Sequence, residues 1–262
     1  MIAIIFFIMG ALIGSFLNVV ILRLPQGEEI IKHRSHCPHC KKTLSWYELI
    51  PILSYIVLFG RCRNCGKKIS SQYILVELST ALLFLVVFLS FGLNFFSIYL
   101  CIVAAFLVVI FTYDLKYMEV PDEIVYPLMA IALIVDLIFT FSKTSIFHPV
   151  GLPATSLYSI GLGLVLGGGI FAILVAVSKE KWMGIGDVKL GIAVGLILGW
   201  PQVLVAILAS FFVGSIIALI MLAAGKARFG QKIPFAPYLV IGTLIAIFWG
   251  QKLIDWYLGF NF

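Results

Sequence analysis

A chain of 262 residues in which 62% are hydrophobic and only 11% charged, with a mean hydropathy of +1.14, lies outside the range of soluble globular domains. Its net charge of +6 would suggest nucleic acid in a soluble protein, but the positive residues sort by membrane side, which leaves nucleic-acid binding little support. The composition is that of a polytopic membrane protein, an all-α helix bundle.

Apolar segments recur at about 1–22, 73–91, 95–113, 124–142, 157–178, 188–200, 203–224 and 237–250, which predicts about eight transmembrane helices. The first has no charged residue and is long enough to cross roughly 30 Å of hydrocarbon. It lacks a basic leader and a small-residue cleavage site, so it reads as a retained span. With odd-numbered connections in the cytoplasm, only Lys143 and Lys252 of the eighteen Lys and Arg fall on the opposite side. The positive-inside rule then puts both termini outside and the 23–71 loop in the cytoplasm, where the basic excess also favours anionic membrane lipid. Segment 188–200 is too short to span at about 1.5 Å per residue without thinning the bilayer or borrowing the preceding loop. That predicts Asp187 below the lipid surface, in a wet cleft. The final segment also reads as short, after a break marked by Pro234 and Pro237.

The 23–71 loop is too small for a substantial core, yet it carries Cys37-Pro38-His39-Cys40 and Cys62-Arg63-Asn64-Cys65. Two C-x2-C knuckles are close to four-cysteine zinc-ribbon spacing. Four thiolates close a tetrahedron around Zn2+ and leave no position for a substrate, so the role is structural and metal binding supplies folding free energy. Two disulfides or a redox C-x-x-C are the competing readings; cytoplasmic placement argues against the first and paired knuckles against the second. His33, His36 and His39 read as solvated loop residues, and Cys101 as a small core residue.

Of the twelve acidic residues, Glu28, Glu29, Glu48, Glu180 and Asp255 lie in loops or near an end. Asp136 lies within the fourth span, where it either reaches the outer interface or pairs inside the bundle. Asp114 closes a long uncharged run, and Asp187 stands in Gly184-Ile185-Gly186-Asp187-Val188-Lys189; helix parity puts both on the cytoplasmic face. Two carboxylates in a low-dielectric cleft share a proton, so one can activate water while the other polarises a carbonyl. Gly184 and Gly186 suit a hinge admitting an extended peptide, with Lys189 beside it. The alternative is that both acids only mark membrane boundaries.

Gly14-Ser15-Phe16-Leu17-Asn18-Val19-Val20 with Arg23-Leu24-Pro25, Pro51-Ile52-Leu53-Ser54-Tyr55 and Val76-Glu77-Leu78 form one set of strings. Asp114 with Pro121-Asp122, Gly184 to Leu190, and Ile233-Pro234-Phe235-Ala236-Pro237-Tyr238-Leu239 form another. Together with the two knuckles they resemble the type IV prepilin peptidases, also called prepilin leader peptidase and N-methyltransferase, over nearly the whole length. G-x-G-D alone would be weak; its combination with the knuckles is specific. The resemblance implies that Asp114 and Asp187 are a catalytic pair, cutting the basic leader of prepilins or pseudopilins after a glycine at the cytoplasmic face. It also implies N-methylation of the new amino terminus with S-adenosylmethionine, in a bacterial inner membrane. Ala236, where glycine is common, and Met118-Glu119-Val120 depart from the family pattern.

On this reading residues 1–93 form a methyltransferase-type region and 94–262 the peptidase domain. No G-x-G-x-x-G loop marks the cofactor site. Glu77, Asn18 and Arg23 are candidates for cofactor or amine contacts; alternatively they bond one another or nearby backbone to steady helix ends. Two other functions stay open: a peptidase without methylation, and a transporter or assembly scaffold whose intramembrane acids move ions.

Overall fold

The structure is a computed structural model that describes residues 1–30, 35–142, 156–226 and 233–259. His33 and the basic residues Lys32, Arg34, Lys143, Arg228 and Lys232 lie outside the described residues. Among the described residues the regular elements are helices, apart from two isolated β-bridges in the cysteine loop. Seven helices are long and apolar enough to cross a membrane, and an eighth apolar helix is shorter. The protein is therefore a multi-pass membrane protein with an all-α fold. The chain divides into two compact units, 1–112 and 113–262.

In the first unit, α1 (Ile2–Arg23) packs on α3 (Ser71–Phe91), with the short α2 (Leu53–Val57) in the loop between them. A Cβ at Gly10 would lie 2.7 Å from the Ala81 Cα, and one at Gly14 2.7 Å from the Glu77 Cα. The small-x3-small spacing therefore lets the two backbones touch, which is how helices associate where lipid gives no hydrophobic drive. One step further along, the Asn18 side-chain amide donates to the Tyr73 carbonyl at 3.0 Å. Positions 10, 14 and 18 thus run against 81, 77 and 73, so the helices are antiparallel. Most of α4 (Phe95–Tyr117) completes this unit.

The second unit contains the end of α4, then α5 (Asp122–Ser142), α6 (Leu157–Ser178), α7 (Ile185–Leu198), α8 (Gln202–Ala223) and α9 (Ala236–Gly259). α7 has 14 residues, and α5, α6, α8 and α9 all pack against it. Apart from Ile192, every residue from Leu190 to Leu198 is buried, as expected of a helix apolar on all sides. A Cβ on Gly195 would collide with the Gly163 carbonyl, and one on Gly191 with the Gly167 carbonyl and the Phe171 ring. Two G-x3-G pairs therefore face each other, antiparallel.

This pairing sets the depth of α7. Gly163 lies against Gly195 and Gly167 against Gly191, so Asp187 is level with about Phe171. α6 runs on to Ser178, about 10 Å further at 1.5 Å per residue. α8 and α9 repeat the arrangement, with Tyr238 on Gly214, Gly242 on Ser210 and Gly250 on Gln202. That sets Ala236 level with about Ile216, while α8 continues to Ala223, again about 10 Å beyond. The starts of α7 and α9 are thus recessed behind the ends of their neighbours. The expectation of a short final segment is corrected: α9 has 24 residues, because its polar last turns stay helical, with Gln251 donating to Asp255 at 2.8 Å, and hide the helix end from hydropathy.

Gly195→Ala should destabilise the unit by about 1 to 3 kcal/mol through overpacking. Gly169→Ala, where a Cβ meets nothing within 4 Å, should be neutral or stabilising by up to about 1 kcal/mol from helix propensity. Thermal unfolding of the two variants in detergent would check the contrast.

Candidate active site and metal centre

Asp114 sits in the last turn of α4 and is buried, at 4% exposure. Its Oδ2 accepts from the Ala236 backbone N–H at 3.1 Å. Ala236 opens α9, so a carboxylate meets the unsatisfied amides and positive dipole end of a helix. Pro237, next along, loses nothing there because its amide would have no partner. Phe235 is fixed against Phe171 and Phe211 at ring separations of 5.6 and 5.3 Å, which steadies the amide that follows it. Sequence reading noted Ala236 only as a departure from glycine; the Pro234/Pro237 pair, a helix-start signal, was the clue to its place.

Asp187 occupies the first turn of α7 and is half-buried. Its Oδ2 accepts from the Gly184 N–H at 3.1 Å, while its own amide donates to the Gly184 carbonyl, also at 3.1 Å. This reciprocal cap holds the acid against the helix dipole. Gly184 has an extended backbone, φ −90° and ψ 164°, which any residue can adopt. Gly186 is helical, and a Cβ there would lie 3.0 Å from the Val120 Cβ. Close approach at Gly186, not an unusual dihedral angle, is what glycine supplies in this motif. Lys189 reaches Asp122, at the start of α5, with Nζ 2.7 and 2.9 Å from the two carboxylate oxygens, and lies 5.2 Å from the Tyr126 ring centre.

Asp114 and Asp187 belong to the same compact unit. Each gives one oxygen to a backbone amide at a recessed helix start, and neither side chain has a second hydrogen-bond partner among the described residues. Such a pair can share a proton and hold a water between free oxygens. Asp136, buried and with its Oδ2 unpartnered, lies about 21 Å along α5 from Asp122 and does not join them.

In the first unit the four thiols of Cys37, Cys40, Cys62 and Cys65 lie within 4.8 Å of one another. The Cys37 and Cys65 sulfurs are 3.9 Å apart, against about 3.8 Å for two ligands of a tetrahedral site with 2.3 Å bonds. The knuckles repeat each other. Cys37 and Cys62 donate backbone amides to Lys42 and Lys67 at 3.0 and 2.9 Å, and bridges join His36 to Thr43 and Arg61 to Lys68. The turn after each second cysteine has positive φ, 59° at Lys41 and 68° at Gly66. The Lys42 backbone N–H lowers the Cys40 thiol to about 6, and the Cys65 and Asn64 amides lower Cys62. The Lys67 amide pulls Cys65 the same way, but burial and the neighbouring sulfurs carry it to about 11. Four crowded sulfurs with amides aimed at them could hold a metal ion. His36 and His39 are exposed and do not enter the cluster.

Asn18 and Glu77 both lie buried on the α1–α3 seam. The Asn18 Oδ1 has no partner, and the Glu77 Oε2 accepts from the Ile52 backbone N–H at 2.7 Å. Arg23, also buried, donates from Nη1 to the carbonyls of Glu29 and Ile30 at 3.2 and 3.1 Å.

Two family models match the chain: the bacterial peptidase A24 N-terminal domain over residues 8–91 and the type IV leader peptidase family over residues 101–219. A prepilin leader peptidase/N-methyltransferase of Aeromonas hydrophila is 34% identical, covering 96% of this chain and 92% of its own length. One of Pseudomonas aeruginosa is 32% identical over 97% and 92% of the two chains. One of Bacillus subtilis is 30% identical, with 97% of each chain covered. No solved structure matches.

Replacing Gly186 with Leu should force Val120 aside and lower stability by about 1 to 3 kcal/mol. Gly184→Ala, at an extended position with nothing but the Gly186 amide within 4 Å, should leave thermal unfolding within about 0.5 kcal/mol of the parent. Equal losses in both would overturn the contrast between the two glycines.

Proposed function

The chain belongs to the type IV leader peptidase family, and from that premise we propose that it removes the leader of type IV prepilins or pseudopilins and methylates the new amino terminus, with Asp114 and Asp187 as the proteolytic pair. The observation that supports this assignment is two carboxylates in one unit, each held by one backbone amide at a recessed helix start. The substrate's apolar helix lies in the bilayer, and its extended scissile segment enters the recess. The pair shares one proton; the ionised carboxylate takes a proton from water as that water attacks the scissile carbonyl, and the protonated one donates to the carbonyl oxygen. No acyl-enzyme forms. Collapse of the tetrahedral intermediate returns the proton to the leaving amine. The amides of Ala236 and Gly184 fix the orientation of both acids throughout, so little reorganisation accompanies the reaction.

The topology that goes with this reading has both termini outside the bacterial cytoplasmic membrane and the acid pair at its cytoplasmic face, on the strength of the Lys and Arg distribution. Residues 1–93 are the methyltransferase-type region and 94–262 the peptidase domain. Cys37, Cys40, Cys62 and Cys65 hold one structural Zn2+, which supplies folding free energy to a loop without a core. S-adenosylmethionine, when bound, supplies an electrophilic methyl group for the new amine. Glu77 and Asn18 offer the acceptors that a cationic donor or an incoming ammonium needs: a buried carboxylate and an unpartnered buried amide oxygen. Arg23 serves the same site by fixing the loop's first carbonyls. Lys189 ties α7 to α5 through Asp122 and supports the pair from outside it.

Incubating purified protein with a prepilin and S-adenosylmethionine, and reading products by mass spectrometry, tests both activities. Asp114→Ala and Asp187→Ala should each lower cleavage at least about 100-fold; retained cleavage in either would remove the acid pair. Elemental analysis should find about one zinc per chain, falling in step with unfolding of the loop in Cys37→Ser; protein with intact thiols and no zinc would overturn the metal assignment.

A further inference from the structure

The loop between α1 and α3 carries a feature that neither the metal cluster nor the acid pair uses. From Trp46 to Phe59 it turns apolar side chains outward. Trp46 is 77% and Phe59 88% exposed, and Leu53, Ile56 and Val57 make one exposed face of α2. Exposed large apolar side chains gathered this densely on a loop mark an interaction surface.

The depth of the segment identifies that partner. The Ile52 backbone N–H is bound by Glu77, whose Cα lies about 9 Å along α3 from Ser71. Helical side chains sweep back toward the N-terminus, by no more than about one turn of 5.4 Å here. Ile52 is thus carried several ångströms past the first residue of α3, alongside a helix long and apolar enough to cross a membrane. Ile52 has φ 64°, which is unfavourable for a β-branched residue and persists only where its surroundings hold it. The Glu77 carboxylate, with the Ser15 side chain beside it, is that hold. The loop's exposed cations, Lys41, Lys42, Arg61, Arg63, Lys67 and Lys68, flank the apolar segment on both sides in sequence. Apolar residues with aromatics, level with the first turns of a candidate span and flanked by lysine and arginine, have the composition of an interfacial anchor.

We propose that residues 46–59 are a membrane-inserted wedge, seated in the headgroup and upper acyl region of anionic lipid and pinned there by the Glu77–Ile52 hydrogen bond. The wedge holds the cysteine cluster against the bilayer surface.

The test uses full-length protein in vesicles of phosphatidylcholine with phosphatidylglycerol. Trp182, Trp200, Trp249 and Trp256 are replaced by Phe, leaving Trp46 as the sole tryptophan. Lipid brominated near the top of the acyl chain should quench its emission at least about twofold, with little effect from aqueous iodide. Quenching by iodide alone would overturn the proposal by placing the segment in water. Quenching by neither would overturn it by placing a protein surface, such as a second copy, over the segment. Equal bromolipid quenching in pure phosphatidylcholine would overturn the anionic-lipid part. On the unaltered chain, a photoreactive lipid should label the peptide containing residues 46–59; absence of label there, with α1 and α3 labelled, would also overturn it.

Discussion

Carbonyl-to-glycine contact between α6 and α7 is the constraint on which the second unit depends. Gly163, Gly167, Gly191 and Gly195 bring two helix backbones together at a distance no side chain would permit. In lipid, such packing replaces the hydrophobic drive that joins helices in water. It allows a helix of 14 residues, buried from Leu190 to Leu198 apart from Ile192, to be held by protein neighbours, so its start need not reach the surface. Backbone amides at that depth need partners, and the carboxylate of Asp187 supplies one for Gly184. The same physics operates at α9, where Asp114 caps Ala236. Each proposed catalytic acid is therefore also the cap of a helix.

This double role links stability to reactivity. A carboxylate held by one amide keeps its other oxygen available, whereas full satisfaction would remove it from chemistry. The aromatic cluster of Phe171, Phe211 and Phe235 carries the positioning. Phe171 fills the space left by Gly191 on one side and fixes Phe235 on the other. A single ring thus connects the depth of α7 to the placement of the amide on Asp114.

The first unit solves a different problem. Its loop has too little apolar surface facing inward to fold alone, and two other devices shape it. Four thiols gather around a common point, and the Glu77 carboxylate reaches out of the α1–α3 seam to hold Ile52. Gly14, by admitting α1 against the Glu77 backbone, makes that reach possible.

Much of this was readable from residue order. Hydropathy alone marks the spans, because crossing hydrocarbon demands long uncharged runs whatever the neighbours. The two knuckles announce the thiol cluster, because a metal tetrahedron fixes ligand spacing locally. Asp114 and Asp187 stand out because charge is rare in such a chain. The sequence misjudged α9, whose polar last turns hide its length; of the two properties it read into Gly184 and Gly186, the close approach is present at Gly186 against Val120, while Gly184 is ordinary extended backbone. It was silent on the Ala236 amide, the Lys189–Asp122 pair and the hold on Ile52. Each of those joins positions 25 to 122 residues apart. Spacing, charge and hydropathy are properties of the chain near each residue; which distant backbones meet, and how deep a helix begins, is decided by packing, and only the tertiary structure contains that.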